Sequence, residues 1–159
     1  MNKQESENED KIAISFSNYG ISSIWETTDG GMTWFNKEGN LPDMPVRWLL
    51  YNPSNNNQVV LATEVGVWVS NNFSESSPSW QSSNSGLANV RVDMLQIRNS
   101  DKLFIAATHG RGVCSSDAFQ SSPLIDISLD EIQLDIEPGG YSIENFNIFN
   151  IGDEGSVLP

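Results

Sequence analysis

Thr27-Thr28-Asp29-Gly30-Gly31-Met32-Thr33-Trp34 (TTDGGMTW) reads as a tight turn that delivers the chain into a strand. Asp29 carries a short carboxylate suited to accepting hydrogen bonds from backbone N–H groups of its own turn. Gly30 and Gly31 supply the positive φ values such a turn requires. Trp34 opens the following strand with a large apolar anchor. At this spacing, Asp29 is expected to cap the turn rather than act as a catalytic carboxylate.

On either side, short runs rich in Val, Ile, Phe, Trp and Thr alternate with Gly, Asn, Pro and Ser, which is the pattern of many short strands, and no amphipathic helix is evident. These runs repeat. VRWLLYNPSNNNQVVLATEVGVWVS from Val46 aligns with VRVDMLQIRNSDKLFIAATHGRGVCSS from Val90, with Arg47 on Arg91, Ala62-Thr63 on Ala107-Thr108, Val67 on Val113 and Ser70 on Ser116. Upstream, Trp25 falls on Trp68, Thr27 on Ser70, Trp34 on Trp80 and Leu41 on Leu87. The middle copy predicts strands at Val46–Tyr51, Gln58–Thr63, Gly66–Ser70 and around Trp80–Ser82. The last copy predicts them at Arg91–Ile97, Leu103–Thr108 and Gly112–Ser116, and the first at Ile12–Ser17, Ser23–Thr27 and Trp34–Asn36. Ser70-x-Asn72 through Ser79-Trp80 reads as a second turn of the same kind, without its glycines and with residues added.

The positions Thr27, Asp29, Gly31, Thr33 and Trp34 resemble the Asp-box of the BNR, sialidase- or sortilin-like, repeat, and ATEVGVW and ATHGRGV extend the resemblance over about Lys11 to Phe119. A period of about 45 residues with about four strands each suits a β-propeller blade. The resemblance implies an all-β chain holding about two and a half four-stranded blades, over residues 11–41, 45–87 and 90–117 of a propeller segment 11–119. The remaining blades would belong to a longer parent chain, since closure takes about four or more. Residues 1–10 are polar and acidic and are expected to form a disordered lead-in.

A Ser/Pro linker at 120–123 leads into residues 124–159, where apolar and polar residues alternate: Ile125, Ile127 and Leu129, then Ile132, Leu134 and Ile136, a Pro138-Gly139-Gly140 turn, then Phe146, Ile148 and Phe149. This alternation, with Asn150-Ile151-Gly152, resembles the first strands of an immunoglobulin-like β-sandwich, incomplete because such a domain needs about seven strands.

The 159 residues carry 21 Asp plus Glu against 8 Lys plus Arg, a net charge of −13. That balance opposes nucleic acid as a partner, since phosphate binding needs clustered cations. Cys114 is the one cysteine and His109 the one histidine, so no internal disulfide, Cys/His metal site or other cofactor is expected. No stretch approaches about 18 apolar residues, so no membrane insertion is expected, and the polar N-terminus holds no signal peptide. The parent protein is nonetheless expected to be extracellular, as bacterial proteins that join such a propeller to an immunoglobulin-like module are secreted.

In a propeller the Asp-box turns lie on the face away from the usual binding mouth, which sets Asp29 aside. The opposite face is expected to gather Tyr19, Asp43, Arg47, Glu64, Arg91, His109 and Arg111. Arginines beside carboxylates can grip an anionic or polyhydroxylated ligand through forked hydrogen bonds. Their ordinary role is to start inner strands and pair with a neighbouring blade's carboxylate. Glu64 and Asp43 are the candidates for the carboxylate pair of a glycosidase; as loop acids they are otherwise simply solvated. Trp25, Trp48 and Trp68 are expected to pack between blades.

Two functions are therefore carried forward. One is a binding or scaffold module for glycan or protein ligands. The other is part of a propeller glycoside hydrolase, xyloglucanase- or sialidase-like, whose main catalytic residues lie on blades outside this chain.

Overall fold

A computed structural model of the chain describes residues 2–5, 9–98, 100–117, 119, 125–127, 138, 140, 141, 143 and 147–150. The chain divides into two compact units, residues 1–119 and 120–159. Among the described residues every regular element is a strand, and every pairing is antiparallel.

The first unit holds three open sheets. The first sheet is β1 (Asn2–Glu5), β2 (Ile12–Ser15), β3 (Ile24–Thr27) and β4 (Phe35–Asn36), paired in chain order. The middle sheet is β5 (Val46–Asn52), β6 (Asn55–Thr63), β7 (Gly66–Ser70) and β8 (Gln81–Ser82). The third has three strands, β9 (Val92–Ile97), β10 (Phe104–Thr108) and β11 (Val113–Ser116), with β11 at its edge. The strands read from the hydrophobic runs of residues 11–117 are present, with ends moved by a few residues.

β1 corrects the expectation for residues 1–10. Asn2 pairs with Ser15 and Glu5 with Ile12, so the supposed lead-in supplies the first sheet's outermost strand. A strand of Asn, Lys, Gln and Glu is held by backbone bonds that hydrophobic patterning does not report.

The sheets stack face to face through two apolar layers. Leu49, Tyr51, Val59 and Leu61 of the middle sheet join Ala13 and Ile24 of the first, with Phe73 and Trp80 added. The alternate residues Leu50, Val60, Ala62 and Val67 join Val92, Leu95, Phe104 and Ala106 of the third. With both faces covered, β6 ends in the unbroken buried run Val59-Val60-Leu61-Ala62-Thr63 instead of an apolar-polar alternation.

Trp68 and Trp48 pack against these two layers respectively. Trp25 differs: with Ile14, Phe16, Ile21 and Trp34 it lines a groove of about 560 Å³ on the outward face of the first sheet.

In the second unit β12 (Ile125–Ile127) pairs with β13 (Ile148–Asn150). Ile148 and Phe149 are about half exposed. Leu129, Ile132, Leu134, Ile136, Gly139, Phe146 and the Ile151-Gly152 end of the expected turn lie outside the described residues.

Candidate functional site

Register separates the two groups of candidates within the first unit. Val46, Thr63 and Gly66 meet at one end of the middle sheet, whereas Val59 and Ser70 meet at the other. Arg47 and Glu64 therefore lie at the end opposite the turns that follow β3 and β7. The backbone bond from Val46 N to Phe16 O, 3.1 Å, puts the β2–β3 loop at the Arg47 end as well.

The turn after β3 is closed by side chains. Asp29 Oδ1 accepts from Thr27 Oγ1 at 2.7 Å and Thr33 N at 2.9 Å, and Oδ2 accepts from Thr33 Oγ1 at 2.6 Å. Thr27 Oγ1 in turn accepts from Gly31 N at 2.9 Å, while Gly30 and Gly31 take φ of 69° and 99°. Trp34 donates its indole N–H to Gly31 O at 3.1 Å. The bonds from Thr33, above all, hold the Asp29 carboxyl well below the usual carboxylate range.

The second turn keeps the device in spite of its insertion. Asn72 Oδ1 accepts from Ser70 Oγ at 3.0 Å and from Ser79 N at 2.9 Å. An uncharged amide thus does the work of Oδ1, which sets an expected result for Asp29→Asn. A folded-state pKa below the unfolded value of about 3.9 stabilises the protein above that pH and is lost as pH falls through the folded value. Asp29→Asn is expected to fold at pH 7 and to show a shallower loss of stability than the parent below about pH 4, followed by urea unfolding across pH. Coincident acid limbs would mean that the Asp29 charge contributes nothing.

At the other end, two β-bulges do the positioning. Val46 pairs with Thr63 and Trp48 with Ala62, so Arg47 is the extra residue of β5. Val92 pairs with Thr108 and Met94 with Ala107, so Asp93 is the extra residue of β9. A bulge turns its side chain out of the regular pleat. Arg47 and Asp93 are therefore structural counterparts, which corrects the alignment of Arg47 with Arg91. Glu64 N donates to Pro45 O at 3.2 Å as His109 N donates to Arg91 O at 2.8 Å, so Arg91 matches Pro45 and His109 matches Glu64.

The side chains form a chain of ion pairs. Arg47 bonds Glu64 Oε2 through Nη2 at 2.5 Å and Nε at 3.1 Å, and its Nε stands 3.9 Å from Asp93. Arg91 Nη2 bonds Asp93 Oδ2 at 3.4 Å and His109 Nδ1 at 2.8 Å. Arg91 Nε is only 2.8 Å from Asp93 Oδ1, but it is buried and lacks the alignment of a hydrogen bond. His109 Nδ1 is 3.6 Å from Asp93 Oδ2.

Asp93, at the centre, was not among the residues singled out in the sequence. The one signal was a charge interrupting the apolar start of a strand, Val90-Arg91-Val92-Asp93. Asp43 accepts from Gly20 N at 2.8 Å beside the exposed Tyr19, and Arg111 is exposed on the β10–β11 loop without an ion pair among the described residues. Glu64 is thus engaged by Arg47, and Asp43 by a backbone N–H. Among the described residues no group of three or more His, Cys, Asp or Glu is placed to hold a metal ion, and no helix is long and apolar enough to cross a membrane.

No known family model matches the chain, and no curated protein or solved structure matches it.

Proposed function

We propose that residues 11–119 are blades of a BNR, sortilin- or sialidase-like, propeller, with the first strands of an immunoglobulin-like module after them. In this reading the chain is part of a secreted protein, and the Arg47–Asp93 end of the blades binds a glycan or protein ligand. Three like sheets stacked face to face, the first two with a side-chain-closed turn at the same end, support the propeller.

One observation carries the binding reading. Two bulges in neighbouring sheets deliver Arg47 and Asp93 to the same end of the unit, beside Glu64, Arg91 and His109. The side chains of Arg47, Glu64, Arg91 and Asp93 are roughly a third exposed, and ion pairs so placed contribute about 1 kcal/mol or less. Exchanging these partners for the hydroxyls or carboxylate of a ligand therefore costs little. Nothing in the geometry favours the hydrolase alternative.

The Arg47→Ala plus Arg91→Ala variant is expected to lose about tenfold or more in affinity on a glycan panel, with urea stability changed by about 1–2 kcal/mol at most. Unchanged binding would remove this face as the ligand site. Release of sugar that Glu64→Gln or Asp43→Asn abolishes would replace the binding module with the hydrolase.

A further inference from the structure

Each sheet of the first unit has two unlike faces, and the middle sheet buries both. Its Leu49, Leu61 and Trp68 side meets the first sheet, and its Val60, Ala62 and Val67 side meets the third. Residues paired across strands share a face, so the pairings carry the two faces through the other sheets. In the first sheet Ser15 pairs with Ile24 on the side turned to the middle sheet, while Ile14 pairs with Trp25 on the side turned away. In the third, Leu95 pairs with Ala106 on the side that meets the middle sheet, while Met94, Ala107 and Val113 stand in line on the side turned away.

The outer side of the first sheet is built as the middle sheet's covered side is built. Ile14 stands opposite Trp25 as Leu61 stands opposite Trp68, and Trp25 faces Asn36 on the next strand as Trp68 faces Ser82. Each indole N–H is held by the carbonyl three residues earlier, Trp25 by Ser22 O at 3.0 Å and Trp68 by Val65 O at 3.4 Å. The tryptophan that follows tells the two sides apart. Trp80, 2% exposed, donates its indole N–H at 3.1 Å to Lys37 O, next to β4 of the first sheet. Trp34, at the same place one repeat earlier, is 37% exposed and donates to its own turn.

The outer side of the third sheet is the matching half. Ala107 pairs with Val113 as Ala62 pairs with Val67 and Ser15 with Ile24, in each case a small residue opposite a branched aliphatic one. The Ser15–Ile24 and Ala62–Val67 pairs are buried and face the next sheet of the stack. Val113 instead is 69% exposed. The unit therefore ends on one open face of the ring-bearing kind and one of the small-residue kind, the two kinds that already meet between the first and middle sheets.

We propose that these two outer faces bind each other between two copies of this chain, head to tail: the third sheet of each copy docks on the groove of Ile14, Phe16, Ile21, Trp25 and Trp34 on the first sheet of the other. The proposal rests on the propeller reading, with the second copy's sheets standing where that reading calls for further blades. A head-to-tail contact runs on as a filament unless its rotation closes a ring. Two copies bring six sheets, within the range of about four to eight that closes a propeller, whereas one copy brings three and three copies nine. The assembly is therefore a dimer with two identical contacts.

The test is sedimentation equilibrium of the whole chain. A concentration-dependent dimer is expected, and Ile21→Glu in the groove and Val113→Glu on the third sheet are each expected to raise its dissociation constant about tenfold or more. Both side chains are exposed in a single copy, Ile21 at 47%, so neither substitution should shift the urea midpoint of the dilute monomer. A monomer at about 100 µM, species larger than a dimer, or a dimer that either variant leaves intact would each overturn the proposal. A monomer that still binds glycan through the Arg47–Asp93 end would overturn the dimer and leave the binding module standing.

Discussion

Lys37→Met is expected to destabilise the first unit by about 2–4 kcal/mol, because it takes from a buried carboxylate the more deeply buried of its two cations and leaves it only Lys11. The Lys37 side chain is 6% exposed and that of Glu26 4%, with Nζ 3.2 Å from Glu26 Oε2. The same ammonium donates to the carbonyls of Phe73 at 3.0 Å and Glu75 at 2.7 Å, so one cation ties the first sheet to the segment after β7. Glu26 Oε1 also takes the Tyr51 hydroxyl at 3.0 Å and Lys11 at 3.3 Å. Burial, and then the Glu26 charge beside it, push the Tyr51 phenol well above its ordinary pKa, so it stays a donor at any working pH. Urea unfolding reads the effect as a lower midpoint at constant slope. In the double variant with Glu26→Gln the combined loss should fall short of the sum, since neither charge is then left alone. A loss under about 1 kcal/mol for Lys37→Met would mean that the pair behaves as a surface ion pair.

Trp80→Ala should cost about as much, roughly 3–5 kcal/mol, through a different cause: an indole-sized cavity between the first and middle sheets. Trp80 touches Phe73 edge-on, and Phe73 meets Tyr51 in the same way at 5.7 Å, so the cavity opens inside a cluster of three rings. Trp80→Phe restores most of the packing but leaves Lys37 O without its donor, for an expected loss of about 1–3 kcal/mol. Thermal unfolding of the two variants separates the terms. Equal losses would assign the whole effect to the hydrogen bond, and no loss in Trp80→Phe would assign it to volume.

The strands were legible because β-branched and aromatic runs between turn residues report directly on half-buried strands. The Asp29 turn was legible because its role depends on a short side chain at fixed spacing from its own backbone. β1 was not, since its polar residues pair through the backbone. The match of Arg47 to Arg91 failed for a more specific reason: the same Val-Arg dipeptide occurs at Val46 and Val90, and it drew the alignment two residues away from the register that the bulges impose. Identity of letters cannot reveal a bulge, because an inserted strand residue changes pairing without a composition of its own. Lys37 and Glu26 were passed over for a similar reason, as isolated charges in a polar-looking sequence give no sign that three dimensions close over them. Asp93 became visible as a centre only once β9 was set against the β6–β7 turn.

The outward groove of the first sheet repeats the middle sheet's own docking surface. Ile14 pairs with Trp25 as Leu61 pairs with Trp68, and it is the Leu61 and Trp68 side that meets the first sheet. Docking surfaces so alike do not encode which sheet sits beside which. Order is kept by the tether: the short connection from β4 to β5 holds successive sheets at a local concentration of about millimolar, against which any untethered competitor must prevail.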